Sequence, residues 1–233
     1  MTWEAAGPHS GLGAHVIVID VCYERWKNYS YLIADSSGHA VVVDPAWEME
    51  KIERVLAGTR ARLSGILLTH AHDDHTHLAR PLAEKHDCPI WMSTVEIARS
   101  RFRADQLVGI DARSWTVGGV VIYPILTPGH TPGSTCYLIE ENLFTGDVLF
   151  AEGCGLCRDH EAAYEMFASL QTLKATLAPH TRIFPGHSYG QPPGRMLSDL
   201  QRDNMYLQFT DARSFASFRL RRGQNMTRMF DFA

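Results

Sequence analysis

Long apolar runs are missing from this sequence of 233 residues. Nothing in it approaches the ~18 consecutive apolar residues of a membrane-spanning helix, so no membrane association is expected. The opening MTWEAAGPHSGLG has no basic stretch leading into an apolar one, so no secretory signal is expected. Cysteine is sparse. Its five positions (Cys22, Cys88, Cys136, Cys154 and Cys157) are odd in number and irregularly spaced, which argues against a secreted disulfide framework and for a reducing cytoplasm. Basic charge is not in excess either, and a formal net charge of -4 gives no general attraction to nucleic acid. No P-loop occurs, which removes a phosphate cradle of that type.

What is present is an ordinary globular balance, 45% hydrophobic and 21% charged, with twelve histidines, several of them clustered. Residues 14–21, 29–35 and 40–45 read as β-branched strands. A helix is expected over 47–57, a short apolar strand over 64–70, a helix from about Thr76 to Lys85 and a strand at 89–92. The second half repeats the theme with strands at 120–128, 134–140 and 142–150, a helix from His160 to Leu177, a strand at 181–187 and a helical tail from near Pro193. Strand-rich halves each followed by helices imply an α+β fold of two sheets packed face to face with helices outside. No linker interrupts it, so one domain over 1–190 with a short helical extension over 191–233 is expected.

The densest chemical signal is His70-Ala71-His72-Asp73-Asp74-His75, directly after an apolar strand. Imidazole nitrogens and carboxylate oxygens are the donors that zinc and other divalent first-row metals take. Burying such groups unpaired would cost roughly 2–7 kcal/mol each, so a core role does not account for them. Three later segments each place one donor at the end of an expected strand: His130 in TPGHTPGS, Asp147 in FTGDVLF and His187 in FPGHSYG. Singly, a histidine after Pro-Gly is ordinarily a turn residue. Together with the cluster they supply enough donors for two coordination spheres.

The order His-x-His-x-Asp-His followed by single His, Asp and His resembles the metallo-β-lactamase superfamily along nearly the whole chain. The resemblance implies an αββα sandwich. It also implies a first metal on His70, His72 and His130, a second on Asp74, His75 and His187, and Asp147 bridging. It makes Asp74 and Asp147 catalytic as well as metal-binding, with zinc as the first choice of metal and iron or manganese as alternatives. Asp44 resembles the superfamily's early strand-end Asp, which orients a ligand histidine. Asp73 and His77 match no ligand position.

Such a metal pair, about 3.5–4 Å apart, generates hydroxide near neutral pH and polarises a carbonyl, so hydrolysis is the expected reaction. Phe144–Phe150 followed by Gly153-Cys154-Gly155 looks like the glyoxalase II branch, in which a basic residue after Gly-Cys-Gly helps hold glutathione. Here that place carries Leu156, followed by Cys157-Arg158. The segments EGCGLCRDHEAAYEMFASL and NMYLQFTDARSFASFRLRR look more like the glyoxalase-II-like hydrolases of bacterial polyketide synthase clusters. That likeness implies an acyl thioester carried on pantetheine, as on an acyl carrier protein or coenzyme A, with a glutathione thioester as the nearer variant. Tyr189 corresponds to a glyoxalase II tyrosine near the substrate.

Arg219, Arg221 and Arg222 are candidates to meet a phosphate or an acidic carrier, or simply to end a solvated helix. Cys154 and Cys157 form a C-x-x-C whose redox or metal use stays open, and Trp26, Tyr29, Trp47 and Phe102 are pocket candidates for which core packing is the better reading. Two other functions remain in view: a mononuclear-iron persulfide dioxygenase and a non-catalytic acyl-carrier-binding accessory protein.

Overall fold

The computed structural model describes residues 13–24 and 26–221. Six strands form the first sheet in sequence order: β1 (His15–Tyr23), β2 (Trp26–Ala34), β3 (His39–Val43), β4 (Arg62–Leu67), β5 (Ile90–Ser93) and β6 (Leu107–Ile110). The second sheet contains β7 (Trp115–Val117), β8 (Val120–Leu126), β9 (Thr135–Ile139), β10 (Asn142–Gly146), β11 (Arg182–Pro185) and β12 (Arg195–Met196), again neighbours in sequence order. Helices α1 (Met49–Thr59), α2 (Asp73–Thr76), α3 (Ala79–His86) and α4 (Thr94–Arg99) belong to the first half. Helices α5 (His160–Thr176), α6 (Leu197–Asp203) and α7 (Ala212–Arg219) belong to the second.

Strand β3 runs parallel to β4, β4 to β5 and β5 to β6, which requires crossovers, and α1, α2–α3 and α4 provide them. In the second sheet β10 and β11 are the parallel pair, joined through α5. These inner strands are buried on both faces, which is why they read as nearly continuous apolar runs. Leu32, Val42 and Ile66 face the helices of the first half, while Ile33, Val41, Val43 and Leu67 face the other sheet. There they meet Ile122, Tyr137, Ile139, Phe144 and Phe184. On the far side, Leu143 and Ile183 pack with Met166, Leu170 and Leu173 of α5. The αββα sandwich is therefore as expected.

The sheets are also clasped at one end. Thr135 donates its backbone N–H to Thr69 across the interface at 2.9 Å, and Tyr29 donates to Gly186 at 2.9 Å. Tyr137 donates its hydroxyl to the Leu68 carbonyl at 2.8 Å, and Tyr31 donates to the Pro185 carbonyl. Just beyond these contacts the chain leaves β4, β8, β10 and β11 in the loops that carry the donor residues.

Several boundaries differ from the sequence reading. The helix expected from Thr76 is two helices, because the Leu78 N–H donates to the Pro45 carbonyl and the Asp74 carbonyl accepts from the Asn28 amide instead. The strand expected to run to Phe150 stops at Gly146, whose φ of +48° turns the chain; a Cβ there would lie 2.2 Å from Thr69 Oγ1. The tail begins with the two-residue β12 before α6 starts at Leu197. Helix α4 and strands β6 and β7 were not anticipated; they are three to six residues long and show no clear apolar period. Tyr29, Trp47 and Phe102 pack against the cores, and the Trp26 side chain and Arg222 lie outside the described residues. Among the described residues no helix is long and apolar enough to cross a membrane.

The described residues beyond 190 pack on the second half. Phe215 of α7 is fully buried, its ring 5.6 Å from Phe167 of α5, and Asn204 donates its amide to the carbonyls of Phe150 and Gly153, both at 3.0 Å. Phe215→Ala is expected to destabilise the whole chain by about 3–5 kcal/mol in denaturant unfolding, with a single transition. Loss of α7 in a separate, earlier transition would show instead that it only rests on the surface.

Candidate metal centre

Two groups of donors meet at this end of the sandwich. In the first, His72 Nδ1 lies 3.0 Å from His70 Nε2 and 3.1 Å from His130 Nε2. Nitrogens about 2.0–2.1 Å from a tetrahedral zinc would be about 3.3 Å apart, so these three are already at ligand spacing. In the second, His187 Nε2 lies 3.3 Å from Asp74 Oδ2, and His75 Nε2 lies 3.7 Å from the same oxygen. Asp147 stands between the groups. Its Oδ1 is 3.4 Å from both His75 Nε2 and His187 Nε2, and its Oδ2 is 3.5 Å from His130 Nε2. The structure thus brings together all seven residues singled out from the sequence.

The opposite edge is held in four of the five rings. His75 Nδ1 donates to Asp44 Oδ2 at 2.9 Å, His187 Nδ1 to the Lys27 carbonyl at 2.8 Å, and His130 Nδ1 to the Leu156 carbonyl at 2.9 Å. His70 Nδ1 is 3.0 Å from Thr69 Oγ1, whose own hydroxyl donates to Asp44 at 2.6 Å. Each of these bonds fixes the tautomer that leaves the inward nitrogen as a lone-pair donor. Asp44, buried at the end of β3, has the orienting part expected of it. Asp73 and His77 lie outside both groups, with the His77 ring packed against Trp47 at 4.9 Å.

The charges fit a cation. Burial opposes ionisation of Asp147, yet the imidazoles of His187 and His75 hold its carboxyl well below the usual carboxylate range. Asp74 is depressed likewise, burial being outweighed by His187, His75 and the Asn28 amide. Burial would lower His75, but Asp147 and Asp44 raise it well above 6.5; burial together with His75 and His130 keeps His70 well below it. His75 Nε2 and Asp147 Oδ1 are buried, face each other, and have no hydrogen-bond partner. Unpartnered buried donors aimed at a common point are costly unless something cationic joins them, so the residues fit a metal at each group.

The centre forms the floor of a cleft of about 1080 Å³. Phe150, Leu156 and Tyr189 form its walls, and Arg99, Arg158 and Arg221 stand at the mouth. Tyr189 packs edge-on against Phe150 at 5.3 Å, and burial pushes its phenol far up, so it stays a neutral hydrogen-bond donor. Cys154 and Cys157 are buried and burial raises both thiols, Cys157 to about 11, which suits packing rather than redox exchange. Arg219 is buried against Tyr206, donating to its hydroxyl at 2.9 Å.

Two supporting residues escaped the sequence reading. Asn28 donates its amide to the Asp74 carbonyl and to Asp74 Oδ2, both at 3.0 Å, and accepts from Trp47 Nε1 at 2.9 Å. Glu96 accepts from both histidine-bearing loops. Neither belongs to a motif. The one available signal was a carboxylate between two apolar residues, Val95 and Ile97.

The fold and this donor set define a class: the chain belongs to the metallo-beta-lactamase superfamily, whose family model matches residues 24–187. It is 44% identical over 209 residues to the "Probable polyketide biosynthesis zinc-dependent hydrolase BaeB" of Bacillus velezensis, spanning 88% of this chain and 93% of that protein. It is 37% identical over 164 residues to the hydroxyacylglutathione hydrolase of Halorhodospira halophila, spanning 70% of this chain and 62% of that enzyme. A metallo-beta-lactamase crystal structure from Staphylococcus aureus superposes with a TM-score of 0.81 over 91% of this chain and 68% of that one. At 22% identity that last likeness speaks for the fold alone.

The shifts set a pH window for the metal-free chain. Asp74 and Asp147 contribute stability above the usual value of 3.8 that is lost as pH falls through their depressed folded values. His75 contributes stability below 6.5 that is lost as pH rises through its raised folded value. Thermal melts of chelated protein are expected to fall on the acid side as the depressed His70 and then these carboxylates take up protons, and on the alkaline side as His75 loses its own. Zinc binding at neutral pH is expected to release a proton, read by calorimetry in buffers of different ionisation enthalpy. Uptake with no buffer dependence would show that His75 is already neutral.

Proposed function

We propose that this chain is a binuclear, zinc-dependent hydrolase of acyl thioesters, with the thiol borne on a pantetheine arm of an acyl carrier protein or coenzyme A. The observation that carries this reading is Asp147, whose two oxygens face two separate donor groups on the floor of a cleft. When bound there, a metal pair supplies an activated water and a Lewis acid for the carbonyl. The name of the Bacillus velezensis relative, which includes zinc dependence, hydrolysis and polyketide biosynthesis, supports the same reading.

The chain's own residues narrow the chemistry. Asp74 and Asp147 present fully ionised carboxylates inside the cleft, and Tyr189 presents a phenol that donates a hydrogen bond but holds its proton. Thioester hydrolysis forms the C–O bond of a carboxylic acid and breaks the C–S bond. The thiolate leaves with its electron pair and needs little help from a general acid, which suits a wall whose phenol does not ionise. Leu156 turns its carbonyl to His130 and gives the cleft an apolar surface where glyoxalase II has a cation for glutathione. That surface favours an alkyl-amide arm such as pantetheine over a charged tripeptide.

Thiol release from an acyl-pantetheine and from an acyl-glutathione, run in parallel with and without chelator, tests this. Chelator-sensitive release favouring the pantetheine thioester is expected, and a preference for acyl-glutathione would return the chain to conventional glyoxalase II chemistry. Asp74→Ala is expected to lower kcat on the order of 10²–10³-fold. Tyr189→Phe, which removes one hydrogen bond, is expected to lower kcat/KM roughly 2–10-fold. If fully metallated protein cleaves neither thioester, the thioesterase reading fails, and persulfide oxidation or another ester class takes its place.

A further inference from the structure

Helix α4 is short and its one carboxylate points inward. Glu96 is 3% exposed. Its Oε1 accepts the backbone N–H of Ala71 at 2.9 Å, and its Oε2 accepts the Thr131 hydroxyl at 2.8 Å and the Gly133 N–H at 3.0 Å. Ala71 lies between His70 and His72, and Thr131 follows His130 directly. One carboxylate therefore ties together the two loops that carry the three nitrogens of the first group. Ser93 closes the arrangement, accepting from Glu96 N at 3.1 Å and donating to the Gly133 carbonyl at 2.7 Å. The approach is so close that a Cβ on Gly133 would stand 2.2 Å from Glu96 N.

The second group is held by different atoms. Asp74 is fixed by Asn28, His75 by Asp44, and His187 by the Lys27 carbonyl. Glu96 touches none of these. We infer that Glu96 is the positioning residue of the His70–His72–His130 half-site and sets its metal affinity separately from that of the Asp74–His75–His187 half-site. The inference rests on the reading of the centre as a binuclear metal site.

The role asks for a carboxylate. Three donors converge on its two oxygens, and an ionised carboxyl accepts at both. A glutamine of the same shape accepts at one oxygen only, and its NH₂ would face an N–H on one of the two loops. Glu96→Gln should therefore loosen one loop against the other while leaving the volume filled.

Cobalt(II) or zinc titration of the purified full chain against a chromophoric chelator is the test, with folding of each variant checked by circular dichroism. Wild type is expected to hold two equivalents. Glu96→Gln is expected to weaken one equivalent about 10–100-fold and spare the other, the usual scale for a group that orients a ligand. Proton NMR of the cobalt form assigns the loss. The shifted imidazole N–H signals of His70 and His130 should fade in Glu96→Gln, and those of His75 and His187 should persist. Asn28→Ala should give the reverse pattern. If Glu96→Gln does not fold, Thr131→Val, which removes one bond of the three, is expected to show a smaller loss at the same half-site. Equal loss at both half-sites, or none, overturns the inference while leaving the binuclear reading intact. A folded wild-type chain that binds no metal overturns both.

Discussion

A carboxylate sunk between imidazoles governs this structure. Asp147, its side chain only 13% exposed, lies beside His75, His130 and His187, a position in which a lone negative charge would be strongly disfavoured. It stays ionised because the imidazoles of His187, His75 and His130 outweigh the cost of its burial. The surrounding structure keeps that arrangement from relaxing: the sheets are clasped by backbone bonds at Thr135–Thr69 and Tyr29–Gly186, directly beneath the donor loops. The sandwich cannot slide without breaking those bonds, so its packing fixes the spacing between donors from different sheets.

Around that centre the supports divide into two sets that meet at Asp44, which accepts from His75 and from the Thr69 hydroxyl beside His70. β2 and the end of β3 hold Asp74, His75 and His187 through Asn28, Lys27 and Asp44. Helix α4 holds the loops of His70, His72 and His130 through Glu96. The first half of the chain thus reaches across to ligands that the second half carries, and the two halves become one working unit only in the sandwich. Asn204 adds a further tie by bonding the carbonyls of Phe150, a cleft-wall residue, and Gly153.

The cleft wall is built from residues that also support the centre. Leu156 serves twice, with its carbonyl on His130 and its side chain lining the cleft. Arg219, singled out from sequence as a possible phosphate contact, is instead buried against Tyr206, while Arg221 is exposed with its guanidinium 3.8 Å above the Phe218 ring. The buried thiols of Cys154 and Cys157 belong to the packing of the same wall.

The order of donors along the chain was readable because metal chemistry needs particular residue types, and His70 to His187 stand at strand ends marked by Gly, Pro and Asp. Apolar runs of β-branched residues made the inner strands and α5 readable for the same local reason. Short edge elements such as α4, β6 and β7 were not readable, because three to six residues carry too little periodicity and are set by their neighbours. The break between α2 and α3 depended on Pro45 and Asn28, both distant in sequence, competing for backbone groups. Glu96 and Asn28 were invisible for that reason too: an ordinary residue type becomes a support only when tertiary contacts bring donors and acceptors to it. The sequence by itself determined which atoms can bind and in what order they come. Only the folded sandwich decided which of them face one another, because hydrogen bonds between distant segments, not local preference, set those distances.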